Sequence, residues 1–174
     1  KLFEIVSHLN SGISCVDTAG LKLDIADLNY QAGIKALSSA AYQSATQYFH
    51  TASELLPKDA FTSNYNLALK IHMELARSLY INGEFEESEK QYPLLLTNVK
   101  NTIDEVEVRL IQMEDYHLQG HYERAIEIQC KGLSLLGEII PSSYPVYEKQ
   151  IVQELKATPK LLASRSSEQL YTAP

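Results

Sequence analysis

The sequence contains no tryptophan, only two cysteines and no long apolar run. No stretch approaches the ~20 apolar residues that a membrane-spanning helix needs, so we expect no membrane insertion. No secretory signal pattern is present either. Cys15 and Cys130 lie far apart in sequence, which does not suggest a disulfide framework. We therefore expect two reduced thiols in a cytoplasmic protein.

Positive charge is also scarce. The 15 lysines and arginines are scattered and the net charge is −7, which argues against binding to nucleic acid, because phosphate contacts need clustered cations. The chain is 45% hydrophobic and 21% charged, so it is not expected to be disordered. Because it begins at Lys1 rather than at methionine, we interpret it as a piece of a larger protein.

One short phrase occurs three times along the chain, and internal repeats are the first feature to seek. In each copy a small residue is followed two positions later by an aromatic and three further by a second small residue. The copies are Ala40-Ala41-Tyr42-Gln43-Ser44-Ala45, Gly83-Glu84-Phe85-Glu86-Glu87-Ser88 and Gly120-His121-Tyr122-Glu123-Arg124-Ala125. The phrase is typical of a tight turn between two packed helices.

Each position of the phrase has a physical role. The first small residue ends one helix and permits the turn. The aromatic begins the next helix and packs back on its partner, and the second small residue lets the two helix axes approach. Apolar residues before the third copy follow a helical spacing; they are Val106, Leu110, Met113 and Tyr116. Thr102 followed by Glu105 predicts a capping box at the start of that helix.

These patterns predict an all-α protein, with no strand pattern. The predicted hairpins are 22–38 with 42–56, 62–82 with 85–98, and 103–119 with 122–136. A short helix from Leu2 to about Leu9 precedes them, followed by a loop that contains Gly12 and Gly20. Beyond Pro141 we expect one or two further helices, near 145–156 and 160–170.

The predicted organisation has three parts. Residues 1–20 form the tail of a preceding domain, 21–141 form the three hairpins, and 142–174 form capping helices and a linker.

The first hairpin resembles a tetratricopeptide repeat. Gly33 stands at the small position of the first helix. The second helix carries the small-aromatic-small series Ala45, Phe49 and Ala52, and Pro57 matches the terminal proline.

The other two units match less completely. The matching residues are Ala76, Ser88 and Tyr92 in the second unit, and Ala125 and Gly132 in the third. The departures are Leu95, Met113 and Gln129. The aromatic positions are separated by 43 and then 37 residues, more than the ~34 residues of a tetratricopeptide unit. The resemblance implies a superhelix of about three antiparallel hairpins with long linking segments.

A narrower resemblance is to the helical region of very large signalling kinases. In that family a protein-kinase-like segment and an ATPase of the signal-transducing AAA-like (STAND) type come first. A tetratricopeptide-like region follows, and then sensor and often histidine-kinase domains. The runs that carry the resemblance are Leu28-Asn29-Tyr30-Gln31-Ala32-Gly33-Ile34-Lys35-Ala36 with Ser39-Ala40-Ala41-Tyr42, Leu2-Phe3-Glu4-Ile5-Val6-Ser7-His8-Leu9-Asn10, Leu135-Leu136-Gly137 with Pro141, and Ser166-Ser167-Glu168-Gln169-Leu170 with Pro174. The family's catalytic motifs do not lie in these residues.

No motif in the chain predicts catalysis, a cofactor or a metal ion. Asp17-Thr18-Ala19-Gly20 spells a GTPase switch motif, but the phosphate-binding loop that gives this motif its meaning is absent. His117 and His121 have the spacing of a helical metal pair, but Gly120 lies between them at an expected helix end. We therefore expect the chain itself not to be an enzyme.

The candidate binding surface is the concave face that the first helix of each hairpin lines in a tetratricopeptide stack. By helical register its residues are Tyr30, Ile34, Leu37, Lys70, Met73, Arg77, Tyr80, Leu110, Glu114 and His117. Family members that clamp a peptide carboxylate use lysine and asparagine where Tyr30, Ile34 and Met73 stand here, so that activity is not expected. The groove is either open or filled by the chain's own flanking helices.

Three functions remain open. The first is a non-catalytic segment of a cytoplasmic signalling protein that binds a peptide, a protein or a neighbouring domain. The second is a segment that packs on an adjacent ATPase or kinase domain and completes or gates it. The third is a structural spacer.

Overall fold

The computed structural model describes residues 1–140 and 144–163, and within them the chain is helical and without strands, as predicted. The helices are α1 (Leu2–Ser11), α2 (Ala19–Ser38), α3 (Tyr42–Leu55), α4 (Ala60–Ser63), α5 (Tyr65–Ile81), α6 (Phe85–Asn98), α7 (Thr102–Leu118), α8 (Tyr122–Leu135) and α9 (Tyr144–Ala163), with a short 3-10 turn at Ile13–Cys15. Among the described residues, no helix is both long enough and apolar enough to cross a membrane.

Helices α2 and α3 form an antiparallel hairpin. Ala36 packs with Ala45 near the turn, while Ala26 packs with Ala52 at the far end. Midway, a Cβ added at Gly33 would lie 2.5 Å from Cε1 of Phe49, whose ring is fully buried. Glycine is therefore favoured at position 33, because any side chain there would have to displace the Phe49 ring.

The three repeated phrases form the same turn. The N–H groups of Ala41, Glu84 and His121 each donate, over 2.9 Å, to the carbonyl five residues earlier. The preceding residue has positive φ, 55° at Ala40, 79° at Gly83 and 78° at Gly120. This is a Schellman motif, which satisfies the last carbonyls of the first helix and reverses the chain.

The aromatic of each phrase begins the next helix, as predicted: Tyr42 opens α3, Phe85 opens α6 and Tyr122 opens α8. The Phe85 ring packs on Tyr80, with 5.1 Å between centroids, and the Tyr122 ring packs on His117 at 5.4 Å. Each of these two aromatics thus lies against the helix before it.

The hairpins stack in sequence order. Leu75 and Leu79 of α5 pack with Phe49 of α3. One hairpin further, Tyr92 and Leu95 of α6 pack with Val108 and Ile111 of α7. The buried small residues at the second helices, Ala45, Ser88 and Ala125, permit this close approach.

Three local predictions were wrong. The cap of α7 is Asn101, whose side chain accepts a hydrogen bond of 2.9 Å from the Asp104 N–H, so the cap lies one residue before Thr102 and pairs with Asp104 rather than Glu105. Gly20 lies in the first turn of α2 and not in the preceding loop. The predicted helix 62–82 is divided at Asn64 into α4 and α5.

Beyond Pro141 the sequence predicts one or two helices, near 145–156 and 160–170. Within the described residues there is one helix in this region, α9, which continues through Pro159. Proline removes one backbone donor, and neighbouring side chains of α9 are exposed, so water can satisfy the carbonyl that is left without its partner. Residues 164–174, which include part of the predicted 160–170 helix, lie outside the described residues.

The chain divides into two compact units, Lys1–Gly132 and Leu133–Pro174. The first contains the stacked hairpins. The second contains α9 and, in its described part, an apolar recess of about 410 Å³ between Ile139, Ile140, Ile151 and Leu155.

Candidate functional site

The candidate site is a groove lined only by first helices of the hairpins. Its volume is about 330 Å³. Its lining residues are Tyr30 of α2, Asn66, Leu69, Lys70, Met73 and Glu74 of α5, and Asp104 and Glu107 of α7. Because successive first helices lie side by side, α5 forms the floor and the neighbours form the walls.

The floor of this groove is apolar. Leu69 is buried in the core, and Met73 packs against the same cluster while remaining partly exposed. A thioether side chain adapts its shape to different neighbours. The floor can therefore accommodate an apolar side chain of a ligand.

The polar residues of the lining are mainly acidic, with Glu74, Asp104 and Glu107 against Lys70. Glu74 pairs with Arg77 at 3.0 Å. Asp104 accepts hydrogen bonds from the Tyr65 hydroxyl and, at 2.7 Å, from the Asn101 amide. In the part of the chain that the structure describes, the Glu107 carboxylate has neither an ion pair nor a side-chain hydrogen bond.

The Tyr30 hydroxyl at the edge of the groove lies in a negative electrostatic environment. Partial burial raises its pKa, and the charges of Glu74 and Asp27 raise the pKa further. Two carboxylates from different helices thus act on one side chain at the edge of the groove.

Three of the ten residues predicted for the concave face line the groove: Tyr30, Lys70 and Met73. Arg77 lies beside it through its pair with Glu74. Ile34, Leu110, Glu114 and His117 are exposed outside the lining, with Leu110 50% accessible. Leu37 packs on the cluster around Phe49, and Tyr80 packs on Phe85.

Sequence reasoning missed Asn66, Leu69, Glu74, Asp104 and Glu107. Helical register could have found four of them. Asn66 and Glu74 each lie four residues from Lys70, Leu69 lies four before Met73, and Glu107 lies three before Leu110. Asp104 required knowledge of the cap at Asn101, which orients the first turn of α7.

A second polar cluster is buried between the second and third hairpins. Asp115 is 4% exposed and accepts hydrogen bonds from the hydroxyls of Tyr92 and, at 3.2 Å, Ser88. The Ser88 hydroxyl also lies 3.0 Å from the Ala76 carbonyl. Burial raises the pKa of the Asp115 carboxyl to about 6, with the two hydroxyls acting in the opposite direction.

This cluster is closed on all sides and does not form a binding site. Every polar group in it contacts another member, and it joins α5, α6 and α7. Its effect is on the stability of the stack and not on chemistry at a surface.

The histidine pair of the sequence does not form a metal site. His117 lies against Tyr122, and His121, beyond the turn, lies against Tyr116. Over residues 1–140 and 144–163 there is no group of three or more side chains that could hold a metal ion.

The chain is similar to the hybrid signal transduction histidine kinase G of Dictyostelium discoideum. The two are 28% identical over 146 residues, which cover 79% of this chain but only 4% of the relative. The similarity supports a relationship to signalling kinases. No family model matches the chain, and no solved structure matches it.

Proposed function

We propose that this chain is a non-catalytic, tetratricopeptide-like segment of a large cytoplasmic signalling kinase. It binds a segment of another protein, or of a neighbouring domain, on the surface formed by its first helices. The likeness to a histidine kinase supports the signalling context.

The observation that carries the proposal is the groove. The groove has an apolar floor and several polar groups of different chemistry. Its residues come from three helices that are distant in sequence. Small recognition sites combine these features. The aligned region is a small part of the relative's length, so we assign catalysis to other parts of the parent protein.

The test is made in the intact signalling protein. The test variant carries three changes to serine at exposed residues of the first helices, namely Ile34, Lys70 and Leu110. The matched control changes Leu94, Lys58 and Ile126, which have the same chemistry and comparable exposure but lie outside the first helices. Phosphorylation of the protein on its own chain is then measured.

We expect the first triple change to alter this phosphorylation several-fold while the control leaves it unchanged. Equal results for both variants would favour the structural spacer instead. A loss confined to nucleotide turnover, with every binding partner retained, would favour packing on an adjacent ATPase domain.

A further inference from the structure

The charges around the groove indicate which partner chemistry it accepts. We propose that the groove binds an extended peptide segment that carries a lysine or arginine side chain next to an apolar one. This inference rests on the proposed function and specifies the partner.

The charge balance is the first argument. Four carboxylates lie on the groove or next to it: Asp27, Glu74, Asp104 and Glu107. The cations of this region are Lys70, Arg77 and Lys100. Arg77 is occupied by Glu74, and the Lys100 ammonium lies over the Tyr65 ring, 4.5 Å from its centroid. Complementary charge favours a cationic partner and repels an anionic one.

The available acceptors are the second argument. Glu107 keeps its carboxylate without an ion-pair partner among the described residues, and the Tyr30 hydroxyl lies across the groove on α2. A guanidinium or ammonium group between them would gain charge-assisted hydrogen bonds. Its aliphatic stem would lie over Met73, because long cationic side chains pack their methylene groups on apolar surface.

The volume of the groove and the arrangement of its carboxylates limit what it can bind. A groove of about 330 Å³ lies at the lower end of the ~300–1,000 Å³ range of ligand sites, so it holds one or two side chains and not a folded domain. The acidic walls do not form a metal cluster within the described residues. A peptide side chain with a delocalised or flexible positive charge fits these limits.

The test is a selection from a random dodecapeptide display library on the immobilised 174-residue chain. Enriched peptides are then measured by fluorescence anisotropy against two double variants. The groove variant combines Glu74→Gln with Glu107→Gln. The control combines Glu86→Gln with Glu123→Gln, which are exposed on second helices and change the net charge by the same amount.

We expect enrichment of lysine and arginine beside an apolar residue. The groove variant should weaken these peptides about three- to twentyfold, as two partly exposed ion pairs allow, and the control should not. Circular dichroism of each variant establishes that the helices are retained.

Two results would overturn the inference in different ways. Enriched peptides that are neutral or acidic, or basic peptides equally sensitive to both variants, would refute the partner chemistry and leave peptide binding intact. No enrichment over bare support would refute the partner chemistry and also count against the proposed function.

Discussion

At the scale of single residues, two glycines of the repeat have opposite roles. Gly33 faces the buried Phe49 ring, and an added Cβ would lie 2.5 Å from it. Gly132 is also buried in a helix, but among the described residues no atom beyond its own stretch of helix lies within 4 Å of the place where its Cβ would be. The same substitution should therefore have opposite effects at the two positions.

We predict that Gly33→Ala lowers the free energy of unfolding by about 1–3 kcal/mol, because a packed core must deform. Gly132→Ala should raise it by about 0.5–1 kcal/mol through helix propensity. Urea unfolding followed by circular dichroism measures both. If the two variants shifted the midpoint in the same direction, the contact between Gly33 and Phe49 would not be the reason for glycine at position 33.

Asp115 gives a second prediction at this scale. Its folded pKa of about 6 lies above the ordinary value of 3.8, so between pH 4 and 6 the folded state binds more protons than the unfolded state. The free energy of unfolding therefore falls as pH rises through this window. We expect a contribution of up to about 3 kcal/mol, since the shift is about two pKa units and one unit corresponds to about 1.4 kcal/mol.

The measurement is the pH dependence of urea unfolding for the wild type and for Asp115→Asn. The amide cannot ionise, so the variant should lose this part of the slope between pH 4 and 6. Glu89, Glu114, Tyr80 and Tyr92 surround the carboxyl and are unchanged in the variant. An identical slope in both proteins would show that Asp115 titrates with an ordinary pKa.

At the scale of elements, the three turns were predictable because their determinants are local. A small residue with positive φ, a Schellman hydrogen bond and an aromatic helix start all lie within six residues. The cap at Asn101 and the passage of α9 through Pro159 were not predictable in this way. In both cases two local signals competed. At α7 the Asn101 side chain caps the helix one residue before Thr102, and at α9 the helix continues although Pro159 could end it.

The turns also carry a prediction. Ala40 holds φ at 55° where its counterparts are Gly83 and Gly120, and a left-handed conformation costs a non-glycine residue about 1–2 kcal/mol. Ala40→Gly should raise the free energy of unfolding by up to about 1 kcal/mol, after the greater freedom of glycine in the unfolded chain is subtracted. Gly83→Ala should lower it by about 1 kcal/mol.

Thermal unfolding of these two variants and of the pair combined is the measurement. The Asn82 amide donates to the Thr46 hydroxyl over 2.8 Å and so links the two neighbouring turns. The combined variant therefore measures whether the two effects add. A lower midpoint for Ala40→Gly would show that its backbone is not strained in the folded protein.

At the scale of the whole molecule, repetition explains both the success and the limit of the sequence analysis. The all-α class followed from a phrase that occurs three times, since each copy independently predicts one hairpin. The groove did not follow in the same way, because Tyr30, Lys70 and Glu107 belong to three different helices. Only the stacking of the hairpins brings them together.

The central claim is that the groove of the first helices is occupied by a protein segment in the intact signalling protein. Its most direct test is a photo-crosslinking amino acid, benzoylphenylalanine, placed at Lys70 in the groove or at Lys58 as an exposed control. Crosslinked peptides are identified by mass spectrometry. We predict that position 70 crosslinks to another protein or to a distant segment of the same chain, and that position 58 does not. Crosslinking at neither position, or equally at both, would contradict the account.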